Sequence, residues 1–293
     1  MRLIWNMIQG FCMAMADAVP GVSGGTIAFV MGFYDRFIES LDNIISGKRE
    51  ERKRALIFLV KLGAGWIIGF VCTVLALGSI FDSHIYVLCS LFIGLSFFAV
   101  PIIVHDEWQT IKGKYSHIIF TLIGIAVVAL ITYLNQWLAR GSMDISSLNL
   151  VKGIYVFIVA AIAISAMVLP GISGSTMLLI FGLYVPIMSA IRGFLHLEFK
   201  YFPILLLFGL GILTGIFTSV KLLRTGLDKY RSQMVFLILG LVIGSVYAIV
   251  MGPATLDVSQ PPMTFQTFSI IYFLLGGVIL GGLQLLKKFI ETK

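Results

Sequence analysis

Ala16-Asp17-Ala18-Val19-Pro20-Gly21-Val22-Ser23-Gly24-Gly25-Thr26 is answered, at a constant offset of 150 residues, by Ala166-Met167-Val168-Leu169-Pro170-Gly171-Ile172-Ser173-Gly174-Ser175-Thr176. The same offset carries Gly32-Phe33-Tyr34 onto Gly182-Leu183-Tyr184. At a slightly smaller offset Gly63, Gly65 and Gly69 fall on Gly209, Gly211 and Gly215, and Gly94 falls on Gly240. Four blocks in one order mark an internal duplication. The chain divides into residues 1–145 and 146–293, each with a PGxSGxT element between two apolar pieces, followed by three longer apolar runs.

Those runs lie near residues 55–80, 85–104 and 117–138 in the first half and 203–221, 234–251 and 268–287 in the second. The pieces flanking the motif are 3–16 and 22–38, then 153–169 and 172–190. Apolar residues make up 59% of the chain and charged residues 12%, against about 25% charged in ordinary soluble proteins. A bilayer crossing takes about 20 apolar residues, so the chain is read as a multi-pass membrane protein with no soluble domain. The net charge of +7 does not point to nucleic acid, because Lys and Arg stand between apolar runs rather than along one polar face.

Cys12, Cys72 and Cys89 sit inside apolar runs at spacings that fit neither a disulfide framework nor a metal site, so neither metal nor cofactor is expected. His84, His105, His117 and His196 lie near segment ends and read as interfacial. Arg2, the apolar stretch after it and Ala14-Met15-Ala16 imitate a signal peptide. Cleavage is not expected, since Asn6 and Gln9 interrupt the apolar region and the residues around the supposed cut recur inside the chain.

Short cytoplasmic loops retain Lys and Arg. Lys48, Arg49, Arg52, Lys53 and Arg54 form one cluster, Lys112 and Lys114 another, and Lys221, Arg224, Lys229 and Arg231 a third. With Arg2, Lys287, Lys288 and Lys293, all face the cytoplasm if three spans follow each motif, which leaves Arg140, Lys152, Arg192 and Lys200 outside. An odd number of crossings per half then inverts the second half relative to the first. Charge alone does not choose between ten full spans and six spans with two re-entrant hairpins; the shortness and polarity of residues 3–16 favour the hairpins. The expected fold is an all-α polytopic membrane protein with an inverted-topology repeat, each half a re-entrant helical hairpin plus three transmembrane helices, ten helical segments in all.

Non-helical backbone at membrane depth survives only inside protein or beside a wet cavity. Pro and Gly break the helix at both motifs, and Ser23 or Thr26, and Ser173 or Thr176, can cap the helix that restarts there. A helix start offers free N–H groups and partial positive charge, a seat for phosphate or carboxylate. Pro20, Gly21, Ser23, Gly24, Gly25 and Thr26, with Pro170, Gly171, Ser173, Gly174, Ser175 and Thr176, are therefore the candidate anion-binding residues. Two such tips entering from opposite faces would meet near the midplane; the alternative is close helix packing through small residues.

Asp17 is, of the 14 acidic residues, the one clearly inside a membrane-embedded segment, and its counterpart is Met167. Intramembrane carboxylates are costly and mark functional sites. Asp17 is read as the group that takes up a coupling proton or binds a coupling cation, the alternative being a cap for the hairpin's own backbone. Arg36, about 20 Å along a helix from Ser23, and Arg192 after the second hairpin are candidate headgroup docking points at opposite leaflets. Pairing of Arg36 with Asp35 or Glu39 is the other reading.

With Asp17 to Thr26, Gly32-Phe33-Tyr34-Asp35-Arg36 and Pro170 to Thr176 in view, the chain resembles, over essentially its whole length, the bacterial PopT polyprenyl-phosphate transporter family. The resemblance implies a carrier that returns undecaprenyl phosphate from the outer to the inner leaflet of the cell membrane for cell-wall polymer synthesis, driven by an ion gradient. The partners it implies are a polyprenyl phosphate lipid and the bilayer. A lipid monophosphate has one small anionic head, so only the head needs a polar path.

Undecaprenyl-diphosphate phosphatases share inverted repeats and a PGxSRSxxT element, but Gly24 and Gly174 stand where those enzymes need Arg. No Glu or Gln here has a Glu four residues later, so the acidic motif is missing too. Diphosphate hydrolysis then lacks its electrostatic machinery. A transporter of a small soluble anion is the other alternative. A lateral opening between helices favours the lipid, and a sealed aqueous vestibule the small anion.

Overall fold

The computed structural model describes residues 2–17, 23–138, 149–255 and 260–291, and within these the regular elements are all helical. They are α1 (Arg2–Asp17), α2 (Gly24–Val30), α3 (Tyr34–Ser46), α4 (Arg49–Asp106), α5 (Trp108–Ile111), α6 (Ile118–Leu138), α7 (Leu150–Val168), α8 (Gly174–Ile180), α9 (Tyr184–Leu195), α10 (Phe202–Lys229), α11 (Arg231–Met251) and α12 (Ile270–Glu291), with short 3₁₀ turns between some of them. The long α4 leaves helical geometry at His84 (φ −136°, ψ 32°) and so consists of two arms. Pro at the start of α10, where an amide would have no helical acceptor, suits the beginning of a helix.

Seven helices among the described residues are long and apolar enough to cross a membrane: Arg49–Thr73, His84–Asp106, Tyr115–Asn135, Leu150–Val168, Phe199–Lys229, Arg231–Ala254 and Ile270–Phe289. The sequence pattern leads one to expect six such helices. The seventh is α7, whose 19 residues reach spanning length where the pattern suggests half a hairpin, whereas its counterpart α1 has only 16. Large apolar side chains such as Leu213, Val278 and Leu285 lie on the outside, between 64 and 72% exposed, while Tyr34, Phe58, Ile238 and Leu280 are buried. Broad apolar exposure of this kind is what a lipid-facing surface requires.

The pieces expected as single helices over 22–38 and 172–190 are each broken. After α2, Gly32 (φ +72°) turns the chain, with its amide on Phe29 O and the Phe33 amide on Ala28 O. After α8, Gly182 (φ +65°) does the same, with Gly182 N on Leu179 O and Leu183 N on Leu178 O. A left-handed glycine with these two bonds is a Schellman stop, which satisfies the last helical carbonyls and redirects the chain. The bend between α8 and α9 is 110°. The repeated Gly-x-Tyr block therefore marks a second break in each hairpin.

Of the repeated glycines, Gly63 and Gly209 face open space, and the others are points of close helix approach. Gly65 and Gly69 of α4 lie against Met7 and Phe11 of α1, and Gly211 and Gly215 of α10 lie against Phe157 and Ala161 of α7. Gly94 of α4 and Gly276 of α12 meet Phe273 and Leu91 respectively; Gly240 of α11 and Gly124 of α6 meet Thr121 and Leu237. Thus α1 packs on the first arm of α4 as α7 packs on α10, and the second arm of α4 packs on α12 as α11 packs on α6. Small residues let backbones approach where no hydrophobic force between helices is available, which explains glycines on apolar spans.

Candidate functional site

Asp17 ends α1 and Gly24 opens α2, and the carboxylate closes the gap between them. Its Oδ1 accepts the Gly24 amide at 2.7 Å and its Oδ2 accepts the Trp66 indole N–H at 3.0 Å. Trp66 comes from the first arm of α4. Ser23 stands in extended backbone (φ −127°, ψ 132°) and its hydroxyl accepts the Gly25 amide at 3.1 Å, while its carbonyl accepts the Thr26 amide at 3.0 Å. The first amides of α2, which have no helical acceptor of their own, are thereby all satisfied. Pro20 and Gly21, candidates on the sequence, lie outside the described residues.

The two motif segments touch. Thr26 Oγ1 accepts the Gly171 amide at 2.9 Å, and Ser23 Oγ lies 3.4 Å from Leu169 O as a donor. Tyr34, buried at the start of α3, donates to Val168 O at 3.0 Å. A side chain at Gly25 would meet Pro170 N at 3.2 Å and Leu169 C at 3.3 Å. The tips are in direct contact, and no phosphate-sized space separates Gly25 from Pro170.

The second tip has the same outline and different chemistry. Ser173 opens α8 without a side-chain cap, and its hydroxyl pairs instead with the Ser175 hydroxyl at 2.8 Å. Met167 occupies the Asp17 position, its thioether beside Gly174. Among the described residues the amides of Gly174 and Ser175 make no hydrogen bond, and Gly174, Ser175 and Thr176 are half-buried where Gly24, Gly25 and Thr26 are buried. One tip thus carries its own anion and the other presents open donors.

Arg36 is exposed on α3 with its guanidinium 4.3 Å from the centre of the Phe58 ring, a cation–π contact. It does not pair with Asp35: that carboxylate accepts from Arg231 Nη1 at 2.9 Å. Arg192 falls within α9. Arg231, at the start of α11, also donates to both oxygens of Glu107. Arg224 of α10 pairs with Asp42 and reaches Asn43 at 3.3 Å. These clasps tie α3 and the end of α4 to α10 and α11, all at the end of the molecule that bears the basic clusters.

Beside the Arg231 clasp is a cavity of about 300 Å³, walled by Phe29, Val30, Tyr34 and Ile103 and by Asp35, Glu107, Arg231 and Lys287. It adjoins an open groove of about 650 Å³ between the second arm of α4 and α12, floored by Pro101, Ile102, Gly281 and Leu285. The two share Ile102, Asp106 and Lys287. The repeat marks Tyr34 in the sequence, whereas Trp66, Gln284 and this cavity are not foreshadowed there. The available signal is hydrogen-bonding side chains (Trp66, Gln284) inside otherwise apolar spans.

Touching helix breaks inside a bundle of spanning helices, with a groove open to the side, are the arrangement of a multi-pass membrane transporter. Comparison with known proteins makes this specific. Residues 13–267 match the family model described as VCA0040-like, undecaprenyl phosphate translocase-like. A polyprenyl-phosphate transporter of Staphylococcus aureus (strain NCTC 8325 / PS 47) is 35% identical over 283 residues, covering 94% of this chain and 93% of the relative. A polyprenyl-phosphate transporter of Vibrio cholerae serotype O1 is 30% identical over 256 residues, covering 84% of this chain and 77% of the relative. The chain belongs to this undecaprenyl phosphate translocase-like family, and it is a transporter rather than an enzyme. No solved structure matches it.

Proposed function

We propose that the protein carries a polyprenyl phosphate, undecaprenyl phosphate in the cell, from the outer to the inner leaflet of the bacterial cell membrane, with both termini cytoplasmic and the two halves inserted as an inverted repeat. The observation that carries the mechanism is the Thr26–Gly171 hydrogen bond, which joins the two broken hairpins tip to tip. A contact of one side-chain oxygen with one amide is readily exchanged for contacts with a phosphate, whose oxygens are stronger acceptors. Parting of the tips around the headgroup is the transport step. The lateral groove beside α12 supports a lipid over a small soluble anion, since it leaves a path for the tail outside the polar region.

The unequal tips support ion coupling. The open amides of Gly174 and Ser175, with the hydroxyls of Ser173 and Ser175, form the seat that receives phosphate. At the first tip the carboxylate of Asp17 already holds that place, and two anions do not share it. A proton or cation delivered to Asp17 cancels its charge and weakens its hold on the Gly24 amide, so that the first tip also opens to the headgroup. Loss of the ion to the cytoplasm restores the Asp17–Gly24 bond and expels the phosphate.

Reconstitution tests this reading. Vesicles containing the purified protein and labelled undecaprenyl phosphate are expected to move the label between leaflets faster than protein-free vesicles, and faster again with an imposed pH or cation gradient. Equal rates with and without the protein would contradict the proposal.

A further inference from the structure

The Lys287 ammonium stands over Gly32 at the turn between α2 and α3, at the junction of the 300 Å³ cavity and the α4–α12 groove. A Cβ at Gly32 would collide with it, and the positive φ of that residue already favours glycine. Among the described residues Lys287 makes no hydrogen bond and has no carboxylate within 4.0 Å. The cavity's other cation, Arg231, is taken up by Glu107 and Asp35. One turn earlier Gln284 donates to Val30 O at 2.6 Å, fastening α12 to the C-terminal end of α2. Lys287 is therefore a cation held in place by its helix, facing a cavity, without a counter-charge of its own.

The groove leading away from Lys287 is apolar and open to the side. α4 and α12 are pressed together where Gly94 and Gly276 lie, and beyond this point Gly281 and Gly282 have no neighbour within 4 Å of an added Cβ. Both glycines are exposed beside the groove, and Leu285, which also lines it, is 72% exposed. A cation at the inner end of an apolar, laterally open slot complements an amphiphile with an anionic head and a hydrocarbon tail. It does not complement a free ion, which gains nothing from the apolar floor.

We propose that Lys287 binds the phosphate of a polyprenyl monophosphate at the leaflet on the basic side, with the isoprenoid tail leaving through the crevice between α4 and α12. This rests on the lipid-carrier reading and adds to it a second headgroup site, distinct from the hairpin tips. The site also touches the first hairpin: α2 runs from the Asp17 carboxylate at one end to Lys287 at the other, so a headgroup here bears on the same seven-residue helix. Asp106, in the cavity wall beside His105 and outside the Arg231 clasp, opposes the anion and makes the site one of release rather than tight capture.

Binding of farnesyl phosphate to the purified protein in detergent separates the outcomes. Lys287→Gln is expected to weaken binding about 10-fold, the effect of losing one charge-assisted contact, while Lys287→Arg retains it. Asp106→Asn, at an exposed carboxylate, is expected to tighten binding, and it keeps the proposal testable should Lys287→Gln fail to fold. Inorganic phosphate in excess is expected not to displace the probe. Unchanged affinity in Lys287→Gln or in Asp106→Asn, or displacement by inorganic phosphate, overturns the Lys287 site while leaving the carrier reading intact. Wild-type protein that does not bind farnesyl phosphate at all overturns the carrier reading itself.

Discussion

Asp17→Asn is expected to slow lipid transfer about 10- to 100-fold and to make the residual rate indifferent to a pH gradient. The magnitude is that of one charge-assisted hydrogen-bond network, about 1.5–3 kcal/mol. Asn has the size of Asp and can still accept the Gly24 amide, so α1 and α2 remain joined. It cannot accept from both Gly24 and the Trp66 indole, because its second terminal atom is a donor, and it cannot exchange a proton. Rates measured in vesicles at several imposed gradients check this, with Trp66→Phe as the companion variant. That change frees one oxygen of Asp17 without removing the charge and is expected to preserve the gradient response. A fully active, gradient-sensitive Asp17→Asn protein would remove Asp17 from the mechanism.

Gly171→Ala is expected to cost about 2–5 kcal/mol of stability and to abolish transfer. Gly171 has φ +86°, where an L-residue is strained by about 1–2 kcal/mol, and its added Cβ would lie 2.5 Å from the Leu241 carbonyl oxygen, an atom of the α11 backbone. The strain falls on the residue whose amide joins the two tips. Gly209→Ala, where the added methyl meets nothing within 4 Å, is the matched control and is expected to be nearly neutral. Thermal unfolding in detergent, compared across the two variants, measures the difference. Equal midpoints would show that the second tip tolerates repacking and that its shape does not limit the contact between the tips.

The duplicated motif was legible in the sequence because it needs particular residues: only Pro, Gly and small hydroxyl residues build a helix break that hydrogen-bonds its own restart. Ser23 caps α2 as such a residue should, and Thr26 reaches further than capping requires, across to Gly171. The second break in each hairpin was also written there, in Gly32 and Gly182, but the apolar run continues through both glycines and hides the turn. Hydropathy records how much of the chain is in lipid and says little about where it bends. The backbone partner of Asp17, the Gly24 amide, was within the capping alternative, but its indole partner could not be read, because Trp66 lies 49 residues away and is joined to it only by the packing of α1 on α4. Arg231 and Lys287 were misleading for another reason. As charges at span ends they report topology, and the same position suits a clasp or a headgroup site, so the one-dimensional pattern does not distinguish these uses.

The clasps also bear on how the molecule moves. Arg224 with Asp42 and Arg231 with Asp35 and Glu107 cross between α3 or α4 and α10 or α11 at the basic end. Across from them, the loop joining α11 to α12 meets α4 through neutral bonds such as Tyr86 to Pro261 O at 3.0 Å. Asp42 and Glu107 are the shielded members of these pairs, each with 13% of its side chain exposed, and leaving such a carboxylate unpaired costs more than parting a neutral contact.

In the proposed transport step the hairpin tips must part for the headgroup to pass. The direct test is a Ser23→Cys, Leu169→Cys pair in a background lacking Cys12, Cys72 and Cys89, joined by a short thiol cross-linker and assayed for leaflet transfer in vesicles. Cross-linked protein is expected to be inactive, and cleaving the link is expected to restore transfer. Undiminished transfer by quantitatively cross-linked protein would contradict the proposed parting of the tips.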